Sequence, residues 1–149
     1  MIRVAIANAL LAGAVTATLV GCAPGMESRA DAAPPQPPSE TLTPLFEQAL
    51  PNVPGKTFTS AIVSFEPSGR AAPHRHGDAF VYAYVLEGTV RSQLEGEPPR
   101  VYRQGETWSE LPGAHHVATE NTSSTEPAKL LVVFIATTGE QLKVDDPPG

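Results

Sequence analysis

The chain has 149 residues, enough for one domain. Its hydrophobic fraction of 41% is ordinary, while 16 prolines and 12 glycines favour short strands and turns over a helical bundle. A net charge of −6, with no phosphate loop, helix-turn-helix or zinc-finger cysteine pattern, argues against nucleic acid as a partner.

Arg3 gives a short positive start, Val4 to Val20 is almost wholly apolar, and small residues follow. This is the layout of a secretory signal peptide. A membrane-spanning helix is the alternative, but the run is near the lower limit for a span and carries Asn8, Thr16 and Thr18. Leu19-Val20-Gly21-Cys22 resembles a bacterial lipobox, in which the cysteine is lipidated and becomes the new N-terminus. Cys22 is the only cysteine, and lipidation accounts for an otherwise unpaired thiol in an exported protein. The resemblance implies removal of residues 1–21 and anchoring to the membrane through Cys22. Ala23, in place of an aspartate, implies the outer membrane, facing the periplasm.

Residues 22–43 then read as the lipidated cysteine and a tether, because Pro34-Pro35-Gln36-Pro37-Pro38 favours extended polyproline II. At roughly 3.1 Å per residue such a tether reaches about 60 Å. The folded domain is expected over 44–145, with a loose tail over 146–149.

Leu45 to Leu50 is read as one short helical turn, ended by Pro51. Strands follow at Lys56 to Phe65, Pro73 to His76, Phe80 to Leu86 and Thr89 to Leu94. Others are expected at Arg100 to Arg103, Thr107 to Glu110, Ala114 to Thr119, Lys129 to Thr137 and Gln141 to Val144. The run Leu130 to Ile135 does not alternate, which predicts burial on both faces. Many short strands between Gly/Pro turns predict an all-β sandwich or small barrel.

His74 and His76 are two apart on an extended segment, so their side chains share a face and can hold one metal ion. A third histidine is needed, and His115-His116 lies downstream; His116 is the expected ligand, with His115 facing away. Val81, Ala83 and Val85 share a face and would line a dry pocket beside the metal. Phe80, Tyr82 and Tyr84 lie on the opposite face, expected as core. Trp108 fits the pocket mouth or the core equally well.

The module resembles the cupin superfamily. Gly69, four residues, His74-Arg75-His76, then Tyr84-Val85-Leu86-Glu87-Gly88 is similar to the first cupin motif. Gly105, Pro112, Gly113, His116 and Asn121 approximate the second. The resemblance implies a cupin-type double-stranded β-helix. It also implies a metal held by His74, His76 and His116. The motif's usual glutamate falls at Val81 or Phe80, neither a ligand, and Asp78 is the nearest replacement carboxylate.

The cofactor implied is a divalent transition metal (Fe, Mn, Ni, Cu or Zn), with a small-molecule ligand or substrate and a homodimer as partners. Two functions follow. One is a metal-dependent, dioxygenase-like enzyme of three-histidine type acting on a small organic acid or diketone. The other is a metal- or ligand-binding module without turnover.

Overall fold

The computed structural model describes residues 39–147. The predicted signal peptide, Cys22 and the tether as far as residue 38 lie outside the described residues. Ten strands follow in order: β1 (Glu40–Ala49), β2 (Lys56–Phe65), β3 (His74–Arg75), β4 (Phe80–Glu87) and β5 (Thr89–Leu94). Then come β6 (Arg100–Arg103), β7 (Thr107–Glu110), β8 (His115–Asn121), β9 (Ala128–Thr137) and β10 (Val144–Asp145). There is no helix among the described residues, so none there is long and apolar enough to cross a membrane.

The strands form two antiparallel sheets, ordered β1-β2-β9-β4-β7 and β10-β3-β8-β5-β6. Period-2 alternation sets what each sheet turns inward. Val81, Ala83 and Val85 of β4 and Leu130, Val132 and Phe134 of β9 are buried on one side of the core. Val90 and Ser92 of β5 and His116 and Thr119 of β8 are buried in the other sheet.

The reading of Leu45 to Leu50 as a helical turn is overturned. These residues, Leu50 aside, continue β1, which pairs with β2 from Glu40↔Phe65 to Ala49↔Thr57. The strand therefore reaches back four residues into the stretch read as tether. β1 is an edge strand whose side chains are exposed on both faces, save at Glu40, so it carries no burial alternation to read. An edge also tolerates Pro44, and the register shifts between Pro44 and Phe46. Phe46 packs edge-on against Phe58 at 6.1 Å between ring centroids.

The expectation of burial on both faces of Leu130 to Ile135 is also corrected. Leu130, Val132 and Phe134 are buried, while Leu131, Val133 and Ile135 are only half-buried. Those three pair with Tyr84, Tyr82 and Phe80, so the aromatics expected in the core lie on the outer face of the sheet. The outward side is apolar although only half-buried, and that is why the run lacks alternation.

Gly88 links β4 to β5 at φ 76°, a left-handed conformation that costs a side chain free energy. A Cβ there would stand 2.6 Å from the Pro127 carbonyl oxygen and 3.0 Å from the Ala128 Cβ. Gly88→Ala is therefore expected to lower stability by more than about 1 kcal/mol in urea unfolding. An unchanged midpoint would mean that the turn relaxes around the methyl group.

Candidate metal centre

His74 sits on β3 directly opposite His116 on β8, and His76 follows β3 where the chain turns toward β4. All three rings are buried, and one ligand atom from each lies within 4.8 Å of the others. The rings are held by bonds that fix their protons. His74 Nδ1 is 2.7 Å from the Ala72 carbonyl oxygen, and His76 Nδ1 is 2.5 Å from that of Leu142. A carbonyl only accepts, so each Nδ1 carries the hydrogen and each Nε2 of a neutral ring is left as an acceptor.

Those two Nε2 atoms face one another at 3.1 Å. Two lone pairs so close need a cation between them. A proton is a poor answer. Burial pushes His74 down to about 4; the Ala72 carbonyl works against this, and His76, His116 and Lys143 add to the lowering. Burial lowers His76 as well, with the Leu142 carbonyl and Glu110 opposing. Near neutral pH both rings are uncharged and their lone pairs converge. Two ligands each about 2.1 Å from a metal stand about 3.0 Å apart at right angles, or about 3.4 Å in a tetrahedron. The donor set fits a divalent ion.

His116 meets a carboxylate that sequence reasoning missed. Its Nδ1 lies 3.0 Å from Glu110 Oε1, and its Nε2 lies 2.8 Å from both Ser92 Oγ and Thr119 Oγ1. Glu110 is 2% exposed. Burial pushes its carboxyl up, but hydrogen bonding to His116, the charges of His116 and His76 and the Trp108 N–H together outweigh this. The carboxyl is therefore held below its ordinary value and is ionised near neutral pH. An ionised carboxylate only accepts, so His116 donates to it from Nδ1, which leaves Nε2 as the nitrogen that a neutral ring would offer to a metal. Trp108 Nε1 donates to Glu110 Oε1 at 3.1 Å.

Asp78 does not join this group. Gly77-Asp78 forms a turn with Gly77 at φ 57°, the Asp78 amide donates to Glu140 Oε1 at 2.8 Å, and the Asp78 side chain is exposed. His115 faces away, as expected, with Nε2 2.7 Å from Asp146 Oδ2. A cavity of about 40 Å³ opens beside the histidines, room for two or three waters. Val81, Ala83 and Trp108 line it; Val85 is buried in the same core but is not part of the lining. Glu40 and Lys143 are also in the lining, and they pair with each other.

The family model for the cupin domain matches residues 61–134. The fold is the cupin double-stranded β-helix. Among solved structures, the cupin domain of Schizosaccharomyces pombe Cnp3 is 12% identical at a TM-score of 0.56, covering 66% of this chain and 62% of that one. An oxalate oxidase is 27% identical at 0.54, over 66% of this chain and 52% of its own. The DMSP lyase DddQ of Ruegeria pomeroyi DSS-3 is 25% identical at 0.54, over 62% and 45%. The chain thus spans between 45% and 62% of these proteins' lengths, and the likeness to Cnp3 is one of fold alone. No curated protein sequence matches the chain.

Within this cupin-fold domain, Glu110, Ser92, Thr119, Lys143 and the Leu142 carbonyl are the site groups that sequence reasoning did not find. Only Glu110 carried a signal. It is two residues from Trp108 on a short strand, so a pocket-lining Trp108 would bring Glu110 to the same face.

Proposed function

We propose that this cupin domain holds one divalent transition metal through His74, His76 and His116 and presents it to a small organic acid or diketone as a metal-dependent, dioxygenase-like enzyme. The observation that carries this is the pair of neutral, buried Nε2 atoms facing each other at 3.1 Å. A bound divalent ion would supply Lewis-acid polarisation of a substrate oxygen and open positions for ligands. The chain's own residues set the conditions around it. Val81, Ala83 and Phe134 keep the cavity apolar, which strengthens electrostatic interactions inside. Lys143 brings a cation to the lining, suited to orienting a carboxylate. The similarity to an oxalate oxidase supports a small organic acid as the substrate class.

The second reading is a binding module without turnover. It is favoured by the Glu40–Lys143 pair, which occupies the lining's lysine, and by the small cavity. The cell-envelope part of the proposal is a domain anchored through lipid on Cys22 to the outer membrane and facing the periplasm. The apolar outer residues of β9 and β4, Leu131, Val133 and Ile135 with Tyr84, Tyr82 and Phe80, support pairing of two copies.

Elemental analysis of the purified full chain beside His76→Ala tests the metal. About one Fe, Mn, Ni, Cu or Zn per chain is expected in the wild type and is expected to be lost in the variant. A wild type that stays metal-free after reloading would sink the proposal. With metal bound, oxygen uptake with small organic acids and diketones supports the enzyme, and tight binding without uptake the module.

A further inference from the structure

We propose that Glu110 is a fourth metal ligand, through Oε2, supplied across the β4–β7 ladder. This deepens the metal reading above and rests on it. Four observations converge on this oxygen. Glu110 is among the most completely buried side chains of the described residues. Its Oε1 is taken by two donors, Trp108 Nε1 at 3.1 Å and His116 Nδ1 at 3.0 Å, which fix the plane of the carboxylate. Its Oε2 has no hydrogen-bond partner. That oxygen lies 3.6 Å from His76 Nε2, which itself lies 3.1 Å from His74 Nε2.

A buried carboxylate with an unmet oxygen is costly unless a cation compensates it. Among the described residues, the only Lys or Arg in the cavity lining, Lys143, is already bonded to Glu40 and Asp145. A divalent ion among the histidines meets both needs. It gives Oε2 a partner and offsets the charge of Glu110.

The register explains how the carboxylate gets there. Val81 on β4 pairs directly with Glu110 on β7. Directly opposed residues point to the same face with Cβ atoms about 4.5–5.5 Å apart. Val81 is one of the two positions, with Phe80, at which the resemblance placed a glutamate. The carboxylate has moved one strand sideways and still faces the same histidines. The centre then carries three neutral imidazoles and one carboxylate, so the charge left on a bound divalent ion is +1 rather than +2.

The test is a Co²⁺ titration of the full chain, followed by the absorption of the bound ion and by direct metal content. Glu110→Gln keeps the shape and the Trp108 contact. It is expected to weaken Co²⁺ binding by more than about 100-fold, beyond what loss of an orienting partner costs. It should also change the absorption of the residual complex. Metal-free Glu110→Gln is expected to unfold more easily than wild type, because the carboxylate's bonds from His116 and Trp108 lose their charge, so the titration is read well below its unfolding midpoint. The double variant Val81→Glu/Glu110→Val returns a carboxylate to the same face from the other strand, and is expected to bind at least about 10-fold more tightly than Glu110→Val alone. If the double variant does not fold, the absorption of Glu110→Gln decides. Wild-type binding with Glu110→Gln within about 3-fold of it and an unchanged spectrum would overturn the proposal and leave the three-histidine reading intact. A wild type that takes up no Co²⁺ would overturn both.

Discussion

Phe134→Ala is expected to lower the unfolding free energy by about 3–5 kcal/mol and to weaken metal binding with it. Phe134 is 1% exposed, on the central strand β9, opposite Val81 of β4. Its ring lies 5.3 Å from that of His76, and it lines the cavity. Large-to-small changes cost the lost transfer energy plus the cavity left behind, and the second part grows when neighbours cannot collapse. Here they cannot. β9 is held between β2 and β4 along its length, and the new void adjoins an existing one. The effect should fall at the upper end of the range, a large share of the total stability of a domain of this size. His76 then loses one of the two rings packed on it and keeps His74 and the Leu142 carbonyl, so its ring is less firmly held and metal affinity should fall although no ligand has been removed. Urea unfolding of the metal-free protein and a metal titration separate the two effects. A loss below about 1 kcal/mol would mean that the core closes over the gap.

The parts of this fold that could be read from sequence are those where a local pattern matches its surroundings. Phe80 to Leu86 alternates and ends at a glycine turn, and it is β4 with one residue added. His74 and His76 share a face because they are two apart on extended chain, and both are buried. β1 failed because its environment is one-sided. An edge strand exposed on both faces places no burial constraint on Leu45, Phe46 or Ala49, so their spacing could pass for a turn of helix. β9 misled for a related reason: an outward face can stay apolar when half-covered, and the sequence then looks like a strand buried twice.

The site divides along the same line. Asp78 looked available because it is near the histidines in sequence, but a turn with Gly77 in the left-handed region directs it to solvent. Glu110 ends a short strand before a Leu-Pro-Gly turn. Its burial follows from pairing with Val81, 29 residues earlier, a contact that no local pattern encodes. The bond that fixes the His76 proton comes from Leu142, separated from it by 66 residues. Ligand types and one face were therefore legible, whereas the groups that orient them are brought in by long-range register.

The metal-free protein is expected to lose about 3 kcal/mol of stability through His74 alone as the pH falls from 6.5 to 4. The sign follows from the direction of the shift. His74 has its pKa lowered to about 4 in the folded chain, against an ordinary 6.5 when unfolded. Above 6.5 neither state binds the proton and His74 contributes nothing to the pH dependence. Between 6.5 and 4 the unfolded chain binds it and the folded chain does not, so acid favours unfolding. Below about 4 both bind it and the loss is complete. His76 is lowered as well, again chiefly by burial, and acts in the same direction. Glu110 is held below its ordinary 4.5, so its contribution is present above that pH and is lost at more acidic pH. Urea midpoints measured with a chelator at pH 7 and pH 4.5 should therefore differ strongly, and His74→Asn should reduce the difference. Metal-loaded protein should show a steeper dependence, because protons and metal compete for the same nitrogen lone pairs. Equal midpoints at the two pH values would mean that the imidazoles are not buried in neutral form. The argument from converging Nε2 lone pairs would then fail with them, because a proton between His74 and His76 would already satisfy both rings.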